Sequence, residues 1–115
     1  MSSKSWAHHL DDLLEVIDRI RSYTEGMSQN DFETDQRTID AVMLNFVRMG
    51  EVVRGIPEEI QEHEQGIPWA EIRGLRNVLV HAYREIHLQT VWKTIQEDLP
   101  LLEQALIKMK QEGAV

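Results

Sequence analysis

The chain is predicted to be all-α: an antiparallel up-and-down helical bundle of four main helices with short extra helices. Three observations carry this. Apolar residues recur at three- and four-residue spacing in nearly every segment, only three prolines and six glycines interrupt 115 residues, and no stretch alternates long enough to form a strand. The length predicts one domain, residues 1–115, with a single core and no separate cofactor domain.

The first helix is expected from about Trp6 to Thr24, with Leu10, Leu13, Leu14, Ile17 and Ile20 on one face and Gly26 as its stop. Ser28 and Asp31 resemble the capping pair of a short turn. A second long helix follows Thr34 or Asp35 and buries Ile39, Val42, Met43, Phe46, Val47 and Val53, with Gly50 allowing a neighbour to come close. It ends at Gly55 to Pro57. Pro57 and Pro68 fit the first turns of a short helix and of a third long helix, and Gly66 separates the two. The last helix carries Leu88, Trp92, Ile95, Leu99, Leu102, Leu106 and Met109 along a seam suited to antiparallel packing, and Pro100 should kink or divide it.

Composition narrows the function. A net charge of -8 argues against sequence-blind adhesion to nucleic acid, so any nucleic-acid site must be local. The absence of cysteine excludes thiolate nucleophiles, thiolate metal ligands and disulfides. No apolar run approaches the roughly 20 residues of a membrane span, and acidic residues stand near the start where a signal peptide would be apolar. A soluble, cytoplasmic protein with no membrane partner is expected.

The richest chemistry lies in the third long helix, taken as Trp69 to Arg84. At about 100° per residue, Ile72, Leu75, Leu79 and Ala82 share the core arc. Arg76 and Tyr83 then fall nearly in line at one border of that arc, with Asn77, His81 and Arg84 on a second line roughly 100° further round. Arg73 lies between the lines, and only Val80 interrupts the polar face. Three arginines, an asparagine, a histidine and a tyrosine on one face suit phosphate binding.

Arg76 and His81 point about 140° apart on a single helix, so one copy does not easily bring both to one substrate atom. Two copies facing each other across a twofold axis would supply two histidines and several arginines to one cleft. RNA cleavage without metal needs such a set: one group to take the 2'-hydroxyl proton, one to protonate the leaving oxygen, and cations for the phosphorane. The same face also fits a solvated, salt-bridged surface, since 20 acidic side chains are available to these arginines. Tyr83 fits a half-buried packing role equally well.

Other candidates are weaker. His8 and His9 precede Asp11 and Asp12, but adjacent histidines on a helix point about 100° apart and no two histidines stand at i and i+4, so no metal site is assigned and no cofactor is expected. His63 lies in the acidic stretch Glu58 to Glu64, a solvated face. His87 either joins the arginine face or begins the last helix. Trp6, Trp69 and Trp92 are spaced as core or interface anchors.

The stretch Ile67-Pro68-Trp69-Ala70-Glu71-Ile72-Arg73-Gly74-Leu75-Arg76-Asn77-Val78-Leu79-Val80-His81-Ala82-Tyr83 closely resembles the motif region of HepT proteins, within the HEPN superfamily. Ala41-Val42 through Met49-Gly50-Glu51 resembles that family's second long helix, and Val91-Trp92 through Asp98-Leu99-Pro100 its closing one. The resemblance covers almost the whole chain. It implies a homodimer with a composite, metal-independent endoribonuclease cleft, the toxin of a type VII-like toxin-antitoxin pair. Position by position, it implies that Arg76 and His81 are catalytic with Asn77 assisting; Arg73 and Arg84, from their place on the polar face, are expected to bind RNA phosphates. The implied partner is a cognate minimal nucleotidyltransferase antitoxin that uses ATP to AMPylate Tyr83. The alternative is a non-catalytic nucleotide-binding or substrate-binding subunit of a nucleotidyltransferase.

One departure stands out. Many relatives follow the tyrosine with an aromatic residue, a glycine and soon an aspartate, whereas this chain has Arg84-Glu85-Ile86-His87. The missing glycine predicts a helix that runs on and a less accessible Tyr83.

Overall fold

Periodicity becomes structure in a series of seven α-helices, and the computed structural model describes residues 6–81 and 83–112 of them and their connections. They are α1 (His8–Thr24), α2 (Gln29–Glu33), α3 (Gln36–Val53), α4 (Glu58–His63), α5 (Trp69–His81), α6 (Leu88–Lys93) and α7 (Leu99–Gln111). Among the described residues there is no strand.

Helix α1 starts two residues later than its periodicity suggests, because Trp6 and Ala7 form a turn whose carbonyls accept from His9 and Leu10 at 2.9 and 3.0 Å. Leu10, Leu13, Val16, Ile17 and Ile20 are fully buried, and Leu14 packs at their edge. Gly26, at φ 78°, is the one described residue in the left-handed region and stops the helix as expected. Ser28 and Asp31 form a reciprocal capping box around the start of α2. The Asp35 side chain accepts from the Thr38 amide at 3.2 Å and caps α3, and that bond holds the Asp35 carboxyl below its ordinary pKa.

Helix α3 is central, packing against α1 on one flank and α5 on another. Both pairings are antiparallel: His9, at the start of α1, meets Gly55 just past the end of α3, while Glu51 pairs with Arg76 and Asp40 with Tyr83. Helix α7 runs back along α1, joined by Lys110 to Asp11 near one end and by two bonds from Arg21 to Glu103, 2.8 and 3.1 Å, near the other. Such exposed pairs set register more than they add stability.

The last apolar seam is divided as Pro100 demands. Thr94–Asp98 forms a π turn between α6 and α7, closed by the Leu99 amide donating to the Thr94 carbonyl. Pro100 is the second residue of α7, directly after that π turn. Pro57 caps α4 rather than entering its first turn.

Candidate functional site

The motif helix is seated from both ends of its first turn. Pro68 opens it, the Trp69 indole donates to the Glu64 carbonyl at 3.0 Å, and Ile72 and Leu79 are buried with Leu75 packed at the core edge. Gly50 sets how closely α5 approaches α3: a Cβ there would stand 2.8 Å from the Ile72 carbonyl oxygen. That close approach was legible in the sequence. Ala82, expected on the same core arc, lies outside the described residues.

This seating turns Arg76, Asn77, Val80 and His81 to solvent. Arg76 does not stand alone there, since its Nε lies 3.0 Å from Glu51 Oε1. Both partners are about half exposed, so the pair orients the guanidinium without contributing much stability. Arg73 is drawn aside. Its guanidinium donates to the side-chain oxygen of Gln61 on α4, and it lines an open pocket of about 420 Å³ with Arg54, Gly55 and Pro57. Gln61 in turn donates to the Ile56 carbonyl at 2.9 Å, so Arg73 is tied to the α3–α4 connection rather than lying free between the two polar lines.

The helix does not continue to Arg84. It stops at His81, and Tyr83–Glu85 forms a 3₁₀ turn. The projection that put Tyr83 in line with Arg76 on one continuous helix is therefore corrected, as is the expectation that loss of the glycine would let the helix run on. The phenol is 42% exposed. Its hydroxyl donates to Asp40 Oδ1 at 3.0 Å and accepts from Gln36 Nε2 at 3.3 Å. Donation to the Asp40 carboxylate raises the phenol pKa above its ordinary value, with partial burial adding to the effect. Arg84 is exposed in the 3₁₀ turn, and His87 precedes α6 and lines an apolar cavity with Met43 and Leu79.

Two apolar residues stand out on the same side. Leu44 lies between Asp40 and Glu51 on α3 and is 61% exposed, while Val80, between Arg76 and Tyr83 in the chain, is 58% exposed. Along the two helices Glu51 pairs with Arg76 and Asp40 with Tyr83, and the exposed Leu44 and Val80 fall between these pairs in the chain.

The remaining candidates divide. Trp6 and Trp69 are core residues, and Trp92 is half-buried with its ring 5.6 Å from that of Phe32. His63 is exposed at the end of α4. The rings of His8 and His9 converge rather than diverge, with centroids 4.1 Å apart.

With these positions in place, sequence comparison has a geometry to bear on. Residues 13–109 match the family described as Ribonuclease HepT-like. The chain belongs to that family. It is similar to the "Probable ribonuclease HepT" of Thermococcus cleftensis, 32% identical and covering 94% of this chain and 98% of the relative. A "Putative RNase" of Caldanaerobacter subterraneus is 29% identical, over 90% of this chain and 93% of the relative. A Methanocaldococcus jannaschii protein, "Gamma-glutamylcyclotransferase and putative RNase", is 31% identical, but the HepT-like chain spans only 47% of its length. No solved structure gives a significant match. Membership supports ribonuclease activity at the level of the family, and no described helix is long and apolar enough to cross a membrane.

Glu51, Asp40 and Gln61 are the partners that sequence reasoning missed in this HepT-like chain. A faint signal existed: Asp40 and Glu51, eleven residues apart, fall about 20° from each other on α3. Nothing local says which helix they face.

Proposed function

We propose that this HepT-like protein is a metal-independent endoribonuclease whose active site is completed by a second copy of the chain. One observation carries the reading: Arg76, Asn77 and His81 are exposed on α5 together with the apolar Val80, and Leu44 is exposed on the neighbouring α3. Apolar groups amid polar ones are the usual mark of a surface that another protein covers. A twofold contact there would oppose two α5 helices and bring one His81 to each side of a bound phosphate.

In that cleft one His81 imidazole takes the proton of the RNA 2'-hydroxyl as its oxygen attacks phosphorus, and the other gives a proton to the departing 5'-oxygen. Arg76 stabilises the charge gathering on the phosphorane oxygens, with Asn77 donating beside it. Arg84 holds flanking phosphates. Arg73, tied to Gln61, contributes its charge from further back. Glu51 keeps the Arg76 guanidinium in place until phosphate replaces it as the counter-ion. Protons and charge are managed by side chains of α5, so no metal is required for the step.

The same site accounts for control by a minimal nucleotidyltransferase. Tyr83 attacks the α-phosphorus of ATP, a phenolic O–P bond forms, the bond to pyrophosphate breaks, and Asp40, already hydrogen-bonded to the phenol, takes the proton. The added phosphodiester places negative charge at the end of the α5 polar face and repels RNA. The chain is then the toxin of a toxin-antitoxin pair, acting in the cytoplasm as one domain.

The test is growth and cleavage. Expression of the chain alone should arrest growth, the purified protein should cut RNA in the presence of EDTA, and Arg76→Ala or His81→Ala should each reduce cleavage by roughly 100-fold or more. Toxicity that survives both substitutions would defeat the mechanism. Nucleotide binding with no cleavage of any RNA would instead favour a regulatory subunit.

A further inference from the structure

The first turn of α1 gathers three ligating side chains that take no part in the α5 face. His8, His9 and Asp12 each present one ligand atom, and these atoms lie within 4.8 Å of one another. Helix geometry alone explains only part of this. His8 and Asp12 stand at i and i+4 and His9 and Asp12 at i and i+3, so each histidine neighbours the carboxylate, whereas the two adjacent histidines should diverge from each other.

The turn after α3 fixes the His9 ring. Its Nε2 edge points at Gly55, so closely that a Cβ at that position would sit 2.3 Å from Nε2. With Nε2 held on that side, Nδ1 faces Asp12, whose Oδ2 is 4.0 Å away. Nδ1 is shut off from water and finds no hydrogen-bond partner among the described residues. A buried polar nitrogen without a partner is uncommon in a folded protein and asks for one. Burial above all, and then the neighbouring His8, push the His9 pKa below its ordinary value against the opposite pull of Asp12.

We propose that His8, His9 and Asp12 bind one divalent transition-metal ion of the zinc class, with His9 Nδ1 as the fixed ligand and water completing four-coordination. Two imidazoles and a carboxylate are a donor set suited to Zn²⁺, with bonds of about 2.0–2.2 Å. Tetrahedral ligand atoms at that radius are roughly 3.3 Å apart, so ligand atoms now up to 4.8 Å apart must close by as much as about 1.5 Å. His8 is exposed and the Asp12 side chain is 46% exposed, so both can close by small rotations while His9 stays against Gly55. The Asp12 charge also offsets the positive end of the α1 dipole, which would otherwise oppose a cation. Bound metal would tie the start of α1, through His9, to the turn between α3 and α4.

The full, untagged chain is stripped with chelator and titrated with Zn²⁺ by calorimetry, and with Co²⁺ by visible absorption. One equivalent per chain, a rise in Tm with added Zn²⁺ and an intense four-coordinate Co²⁺ spectrum are expected. His8→Ala and Asp12→Asn alter surface side chains and should each weaken binding by about 10-fold or more. His9→Gln should abolish it. No heat and no Tm shift, or binding undiminished in both His8→Ala and Asp12→Asn, would overturn the assignment. So would binding lost only in His81→Ala, which would assign the metal to the α5 face.

Discussion

At the scale of single residues, the polar groups of α5 are defined by acids on α3. Arg76 is held by Glu51 and Tyr83 by Asp40, so the two residues of the motif border are anchored at positions about 16 Å apart along the central helix. The Tyr83 bond has a readable consequence. Its phenol pKa is raised because deprotonation would set a phenolate against the Asp40 carboxylate. A raised pKa means that the bond contributes stability below the ordinary tyrosine value and loses it as pH rises through the raised one. Asp40→Asn should therefore move the Tyr83 titration down toward the usual value near 10, followed by phenolate absorbance with Tyr83→Phe as the blank. An unmoved titration would separate Asp40 from the phenol and remove the proton acceptor proposed for AMPylation.

At the scale of elements, the distance between α3 and α5 decides where the proposed catalytic groups stand. Gly50 and Gly74 make the contrast. A methyl group at Gly50 meets the backbone of Ile72, whereas one at Gly74, in the middle of α5, meets nothing within 4 Å. Gly50→Ala should destabilise by about 1–3 kcal/mol through overpacking and reduce RNA cleavage as α5 is pushed outward. Gly74→Ala should stabilise by about 0.5–1 kcal/mol through helix propensity alone. Denaturant midpoints measure both, and an unchanged midpoint for Gly50→Ala would show that the two helices separate at little cost. Gly50 was legible as a close-approach residue, because a glycine inside an otherwise strongly periodic helix has few other uses. The end of α5 was not legible. His81, Ala82 and Tyr83 carry no stop signal, and nothing in their order announces the 3₁₀ turn that places Tyr83 against α3.

At the scale of the whole molecule, α1, α3 and α5 lie side by side, with α7 returning along α1 and α2 bridging α3 to α6. Helix α5 packs closely on α3, and apolar cavities of about 410 and 260 Å³ separate it from the α6–α7 stretch, sharing Phe46, Leu75 and Thr94 in their walls. The outward side of α5 is the one proposed to meet a second copy. Specific ribonuclease activity should fall on dilution in step with dissociation of the dimer, compared by cleavage rate and sedimentation over the same concentrations. Constant specific activity in a solution of monomers would place the complete site within one chain.

The helices, the buried faces of α1 and α3, the Ser28 and Asp35 caps and the Gly26 stop were all written in the sequence. Each depends on residues within one or two turns, where the geometry of a helix is fixed. The outward orientation of Arg76, Asn77 and His81 followed from the same periodicity. Tertiary structure alone decided that Arg76 meets Glu51, that Arg73 turns to Gln61, that Tyr83 bonds Asp40 across 43 residues, and that the His9 ring meets Gly55. The physical reason is common to all four. A helical pattern specifies which side of a helix is polar, while the partner found there is chosen by the antiparallel packing of the apolar sides.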